Sequence, residues 1–450
     1  MVLAFVIVLL VIGSVVFHLL SPWWFTPIAS NWQMMDDTVN LTFWVTGAVF
    51  VIVNLFMAYA VIRYRHKTGR KAEYKPEDKK LEWWLTGITT VGVAALLAPG
   101  LTVWGKFVTV PKDASVIEVV GQQWNWSYRY PGEDGALGLT DPKLINVDNP
   151  FGVDSSDPHG QDDVLISTAE IHIPINKPVK ILLRSRDVSH QFAVPEFRVK
   201  MDMVPGTESY FWFTPTRVGS FNVLCEQLCG IAHFAMRGRV VVDEQAQYDA
   251  WLAQQPTAAS LNAIPAGDKT AGATSFAVCS ACHGAQAEGN QALNAPKLSQ
   301  QAGWYLNQQL HNFQHDMRGV VSADVYGQQM RPMAATLVDA AAIRNVVAYI
   351  TSLPGSHPNE TMHGNVTRGK ALYVTCEACH GPNGEGIWAT KAPRLAGMND
   401  WYLARQLRNF RGGIRGGHAQ DFGGSQMQQM SSTLKDEQSI SDLAAYLNTL

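Results

Sequence analysis

Three long apolar runs at the start of the chain constrain its fold more than any other feature. Val2–Leu20, Leu41–Ile62 and Trp83–Trp104 are each about 20 residues long, the length a helix needs to cross ~30 Å of hydrocarbon. The segment between the second and third runs carries Arg63, Arg65, Lys67, Arg70, Lys71, Lys75, Lys79 and Lys80. Ser21–Asn40, between the first and second, has Asp36 and Asp37 but no Lys or Arg. By the positive-inside rule, residues 63–80 then lie in the cytoplasm and everything beyond Lys106 lies outside, in a periplasm-like space. Trp23, Trp24, Trp83, Trp84 and Trp104 suit anchoring at the two interfaces. Val2–Leu20 reads as a retained helix, because it lacks the basic leader and small-x-small site of a cleaved signal peptide, which is the alternative.

Composition agrees with a partly embedded chain: of 450 residues only 16% are charged and 47% are hydrophobic, with 14 Trp. A net charge of -3 and the lack of a basic arm argue against nucleic acid as a partner. The length suggests about three domains.

From Ser115 to about Val242 the pattern changes. Val116–Val120, Val179–Leu183, Ser209–Phe213, Ser220–Leu224 and Gly238–Val242 are short runs rich in β-branched and aromatic residues, separated by Pro, Gly and Asp. This predicts an antiparallel β-sandwich. Asp141–Asp163 reads as a surface loop, and Gln254–Lys269, rich in Ala, Pro, Ser and Thr, as a linker.

Beyond that linker the chain repeats itself. Cys279-Ser-Ala-Cys282-His283-Gly284 returns as Cys376-Glu-Ala-Cys379-His380-Gly381, a shift of 97 that also maps Pro296 to Pro393, Trp304 to Trp401, Phe313 to Phe410, Met330 to Met427 and Leu353 to Leu450. A constant offset means two copies of one small helical domain, each closing with a helical pattern at Ala340–Leu353 or Glu437–Leu450. Cys-x-x-Cys-His is the attachment motif of haem c, with two thioethers to the porphyrin and the histidine on iron. His283 and His380 are therefore expected as proximal ligands. The opposite ligand is expected to be Met330 in the first copy and Met427 in the second, seven residues before Leu337 and Leu434. Met333 and Met430 are the alternatives, and His311, His315 and His418 are read as surface histidines.

The six cysteines fall into three pairs, and the remaining pair has a different setting. Cys225-Glu-Gln-Leu-Cys229-Gly-Ile-Ala-His233-Phe-Ala-Met236 gathers two thiolates, an imidazole and a thioether, and His190 lies upstream at the start of a strand. Soft sulfur with imidazole suits copper, and two cysteines four apart on one loop can bridge two copper ions. Zinc also takes Cys and His, but a zinc loop leaves Met236 unexplained.

These residues resemble the dinuclear copper-A site of cytochrome c oxidase subunit II. By that resemblance Cys225 and Cys229 are the bridging thiolates, His190 and His233 the terminal imidazoles, Met236 the weak thioether ligand, and Gln227 the donor of a backbone carbonyl. The family usually has glutamate at the Gln227 position, where its carboxylate also reaches a magnesium ion; an amide is a weaker ligand for a hard cation, so that magnesium site is not carried over. Gly121-Gln-Gln-Trp124-Asn-Trp126-Ser-Tyr128 resembles the aromatic segment beside copper A, with Trp124 where electrons come in. Core and rim packing is the plainer reading of the same aromatics. Glu82 resembles the family's carboxylate at the mouth of a proton channel, although a glutamate at a helix N-terminus is also favoured by the helix dipole.

The expected architecture is thus a membrane anchor over 1–110 with three transmembrane helices, a cupredoxin-like copper-A β-sandwich over 111–250, a linker over 251–269, and two all-α cytochrome c domains over 270–355 and 356–450. The resemblance implies the electron-inlet subunit of a proton-pumping terminal oxidase in a bacterial inner membrane, its copper and haem domains periplasmic. It also implies two haems c and dinuclear copper A as cofactors, and haem–copper subunit I and subunit III as partners. Cytochrome c or a quinol–cytochrome c reductase would be the donor. Oxygen would be reduced in subunit I, because no nucleophile, general base or open metal position stands out in this chain. A copper-A nitric oxide reductase is the alternative from the same wiring, and a membrane copper-handling or assembly protein the alternative of another class.

Overall fold

A computed structural model of the chain describes all residues except 22–25, 72–73, 75, 146–148, 150, 167, 263–266, 389 and 419, so the readings of Trp23, Trp24 and Lys75 lie outside the described residues. The apolar runs form α1 (Val2–Leu20), α2 (Gln33–Arg63) and α3 (Lys79–Val108), each long and apolar enough to cross a membrane. α2 and α3 overrun the expected spans: the 31 residues of α2 rise about 46 Å, more than the hydrocarbon needs, so it must emerge from it. α3 opens with a reciprocal cap, in which Asp78 accepts from Leu81 N and the Glu82 carboxylate approaches Asp78 N at 3.4 Å.

Both outer ends of the α2–α3 hairpin are tied to the β domain. Trp32, fully buried, donates its indole N–H to Trp212 O at 2.9 Å, and Asp36 pairs with Arg198 at 2.7 and 2.9 Å. Trp212 Nε1 in turn donates to Lys106 O, and the Tyr210 hydroxyl to Val108 O, both at 3.1 Å. The basic connection after Arg63 therefore sits at the opposite end of the hairpin from the β domain, the arrangement that the charge asymmetry predicts.

The β domain is a two-sheet sandwich. Its strands are β1 (Ser115–Gln122), β2 (Asn125–Tyr130), β3 (Val164–Ile166), β4 (Glu170–Pro174), β5 (Val179–Ser185), β6 (His190–Val194), β7 (Val199–Met203), β8 (Ser209–Phe213), β9 (Gly219–Cys225) and β10 (Arg237–Asp243). They form two five-stranded sheets, β3-β2-β1-β5-β8 and β4-β10-β9-β6-β7. The expected sandwich is present, but it is mixed: β1 runs parallel to β5, and β10 parallel to β4. Strand period reads which residues face inward, not the direction of a neighbour 60 residues away. Trp126, Tyr128, Phe192, Phe211 and Val223 fill the space between the sheets.

Two readings of loops need correction. The segment 141–163 is not simply a surface loop: Phe151 and Val153 are buried with Val120, and Asp163, fully buried, accepts from Arg129 at 2.6 Å. Arg129 also pairs with Glu118 at 2.6 Å, so a cation inside the sheet holds the loop. Part of the 251–269 linker is likewise pinned. Trp251, in the helix Gln245–Leu252, stacks on His172 with centroids 4.2 Å apart, and Leu165 N donates to Pro256 O.

The two C-terminal modules repeat each other element by element. Helices Lys269–His283, Gly303–Gln314, Val325–Ala334 and Ala340–Ser352 return as Val366–His380, Asp400–Arg411, Phe422–Ser431 and Glu437–Leu447. Their start signals repeat at the same spacing: Asp268 and Asn365, Asp324 and Asp421, and Asp339 and Asp436 each cap a helix through the side chain. First and last helices cross in each module at Gly272 or Gly369, where a Cβ would stand 2.0 Å from the carbonyl oxygen of Asn345 or Asp442. Only glycine permits that approach.

Candidate redox centres

The register of the second sheet builds the sulfur site. β6 and β9 pair with Phe192 opposite Cys225, which sets His190, at the start of β6, beside the end of β9. β10 returns with Arg237 opposite Leu224, so the connection 226–236 is a closed loop above that edge, ending in a 3-10 turn at His233–Ala235. Cys225 Sγ and Cys229 Sγ are 3.7 Å apart. His190 Nδ1 lies 4.0 Å from Cys225 Sγ, and His233 Nδ1 3.5 Å from Cys229 Sγ. Met236 Sδ is 3.8 Å from Cys229 Sγ, and the Gln227 carbonyl oxygen is 3.3 Å from Cys225 Sγ. His190, Cys225 and Cys229 are grouped tightly enough to hold a metal ion, their donor atoms lying within 4.8 Å of one another.

All six donors expected from the sequence thus converge, and their chemistry fits copper: soft sulfur and imidazole, with His190, Cys225, Cys229 and Met236 buried. The Cys229 thiol beside it, and then His190, hold Cys225 well below the usual thiol range, while Cys225 pushes Cys229 above it. A thiolate is the form that binds metal.

Sequence reasoning missed the supports of this cage. Asp187 accepts from His190 Nε2 at 2.8 Å and from Gln123 N at 2.7 Å, fixing which ring nitrogen faces the thiolates. Its only signal was a carboxylate three residues before a histidine. Gln123 Nε2 and Trp124 Nε1 both donate to Cys229 O, at 2.8 and 3.1 Å. Gly230 permits this: at φ +121° it has a conformation side chains avoid, and a Cβ there would lie 2.7 Å from Gln123 Nε2. The aromatic segment therefore divides. Trp124 touches the sulfur loop, whereas Trp126 is core, its ring 5.2 Å from Phe192 and 6.2 Å from His190.

In the two modules His283 and His380 are buried, and each Nδ1 donates to a proline carbonyl, Pro296 O or Pro393 O, at 2.7 Å. Burial keeps both below the ordinary histidine value, hence neutral. With the proton held on Nδ1, Nε2 keeps its lone pair for iron, and this fits haem c. Met330, Met333 and Met427 are half-buried. Met430, also half-buried, packs against the β-domain core. His315 is exposed, whereas His311 and His418 are half-buried and not simply on the surface.

A sulfur–imidazole cage in a β-sandwich, carried on membrane-length helices and followed by two Cys-x-x-Cys-His modules, defines a membrane-bound electron-transfer protein. Residues 115–244 match the family "Cytochrome C oxidase subunit II, periplasmic domain", and residues 270–354 and 366–450 each match "Cytochrome c". The alternative cytochrome c oxidase subunit 2 of Bradyrhizobium diazoefficiens is 60% identical over 262 residues, covering 58% of this chain and 95% of that protein. Cytochrome c oxidase subunit 2 of Cereibacter sphaeroides is 29% identical over 237 residues, 51% of this chain and 77% of that one. Among solved structures, cytochrome c4 from Pseudomonas stutzeri is 26% identical, covering 41% of this chain and 100% of its own, with a TM-score of 0.34. The chain belongs to the cytochrome c oxidase subunit 2 family, extended by cytochrome c domains. It is the electron-inlet component of a haem–copper oxidase complex, and copper and haem c are the cofactors these families imply.

Proposed function

We propose that this chain carries electrons, by way of two haems c and a dinuclear copper centre, to the haem–copper subunit of a proton-pumping oxidase that reduces oxygen to water. The observation that carries the reading is the pairing of donors: two cysteine sulfurs 3.7 Å apart, one with the His190 Nδ1 4.0 Å away and the other with the His233 Nδ1 3.5 Å away. A separate imidazole beside each sulfur would suit a pair of copper ions, one histidine to each. Bound there, copper and haem supply one-electron carriers. The chain's own residues do the rest. Cys225 and Cys229 would supply the two thiolates, His190 and His233 one imidazole each, and Met236 and the Gln227 carbonyl the remaining donors that hold the copper. Cys279, Cys282, His283 and Met330 would hold one haem, and Cys376, Cys379, His380 and Met427 the other. Trp124 roofs the sulfur loop.

In this reading three helices cross the inner membrane and the redox domains face the periplasm. Subunit I and subunit III cover the exposed faces of α2 and α3, and cytochrome c or a quinol–cytochrome c reductase is the donor.

The test replaces Cys225 and Cys229 by Ser together in the assembled complex. Haem c absorption should persist while the copper signal and turnover with reduced cytochrome c collapse; unchanged turnover would sink the copper assignment. Oxygen uptake and nitric oxide reduction are assayed in parallel. Cyanide-sensitive oxygen uptake establishes the terminal oxidase, and nitric oxide turnover without it makes the complex a nitric oxide reductase.

A further inference from the structure

The two modules differ in what their haem-attachment edges face. A thioether puts the porphyrin periphery one bond from its cysteine sulfur, so the surroundings of that sulfur report what the haem edge meets. In the second module Cys379 Sγ lies 3.9 Å from Gln123 O, and the neighbouring Ala378 packs on the β-domain core. Gln426 Nε2 donates to Trp124 O at 3.3 Å. Phe422 and Met430 pack on the same core, and the Arg239 guanidinium sits 5.0 Å over the Phe422 ring. Gln123 and Trp124 are the two residues whose side chains bond Cys229 O. From Cys379 to the sulfur loop the path is therefore one peptide unit and one shell of hydrogen bonds.

The first module presents the corresponding positions to solvent. Cys282, the counterpart of Cys379, is exposed, and Val325, the counterpart of Phe422, is 53% exposed. The modules are clasped to each other by reciprocal bonds at the repeat spacing. Arg318 donates to the Tyr402 hydroxyl, and Arg415 to the Tyr305 hydroxyl, both at 3.0 Å. Lys297, only 3% exposed, reaches Gly397 O at 2.8 Å.

We infer that electrons run through this chain in a set order: the first module (Cys279, Cys282, His283) takes them from outside, and the second (Cys376, Cys379, His380) hands them to the sulfur loop across the Cys379/Gln426–Gln123/Trp124 contact. The inference rests on the electron-inlet reading above. Each handover moves one electron, taking the second module's iron from ferrous to ferric and the copper pair down by one, with no proton or bond transferred. Two copies of one repeat thus acquire different roles from where each docks.

The experiment compares matched variants in the full assembled complex, Phe422→Lys and Gln426→Leu in the second module against Val325→Lys in the first. Haem absorption reports that both modules are intact. Electrons are injected by flash photoreduction and by mixing with reduced cytochrome c, while the haem c band and the near-infrared copper band are followed separately. Phe422→Lys sets a cation against Arg239 and should slow haem-to-copper transfer about ten-fold, the docked population lost to one unpaired charge, without slowing haem reduction. Gln426→Leu, which deletes one hydrogen bond and disturbs folding least, should slow the same step severalfold. Val325→Lys should slow reduction by cytochrome c and leave haem-to-copper transfer unchanged. Unchanged transfer in both second-module variants, or slowed transfer in Val325→Lys, overturns the order while leaving the electron-inlet reading standing. A wild-type complex with no copper signal overturns that reading and the order with it.

Discussion

Within the sulfur cage, neighbouring residues differ in how their side chains matter. In the proposed site Gln227 would contribute only its backbone carbonyl, 3.3 Å from Cys225 Sγ, so its side chain would be dispensable for the metal. Gln227→Ala should leave the copper-to-protein ratio and the copper spectrum unchanged; loss of copper would put the amide among the ligands. Asp187 is the opposite case, a residue that touches no ligand site itself yet orients one. Asp187→Asn weakens the acceptor for His190 Nε2–H and should lower copper affinity ~10–100-fold, the usual effect of removing such a support. Competition with a copper chelator measures it. Of these residues the sequence showed Cys225 to Met236 plainly, because they share one loop. Asp187, Gln123 and Gly230 were not legible, since each meets a partner 64 to 107 positions away.

Elements are held to one another here by a few polar contacts whose charge state can be tested. His172 on β4 bonds Asp243 at the end of β10 and lies 3.5 Å from Glu170, beneath the Trp251 ring of the helix 245–252. Burial by itself would lower its pKa, but the bonds to Glu170 and Asp243 outweigh burial and hold it above the ordinary value. A histidine raised on folding stabilises fully below its unfolded pKa of about 6.5, and that contribution is lost as pH rises through the folded value. Thermal unfolding of the full chain should therefore show the β domain losing stability as pH rises from about 6.5, and His172→Gln should flatten that slope. A wild-type slope unchanged in the variant would place the titration elsewhere. Trp251 read in the sequence as the start of a linker because its anchor, a stack on His172, lies 79 positions upstream.

Over the whole molecule, the membrane hairpin, the sandwich and the paired modules are joined by contacts that no single domain contains. Asp36 meets Arg198 across 162 positions, and Gln426 meets Trp124 across 302. The clasp between modules rests on Arg318–Tyr402 and Arg415–Tyr305, and each Tyr→Phe leaves a guanidinium short of an acceptor, a loss of ~1–3 kcal/mol. Tyr305→Phe with Tyr402→Phe should open the segment 353–365 to protease while each haem spectrum stays intact. Unchanged protection would show that Lys297 and its carbonyl partners suffice to hold the pair.

By itself the sequence determined the apolar helices, the sandwich, the repeat and the donor residues clustered on short motifs. Each of these is written in local periodicity, or in spacings of a few residues, that physical chemistry reads directly. Only the tertiary structure decided the mixed strand pairing, the supports behind His190 and which module meets the sulfur loop. The modules carry the same attachment motif at a constant shift of 97, so the motif itself does not separate them. What differs is burial: Cys379 is covered by the β domain and Cys282 is not, and burial is a property of chain segments brought together across hundreds of residues.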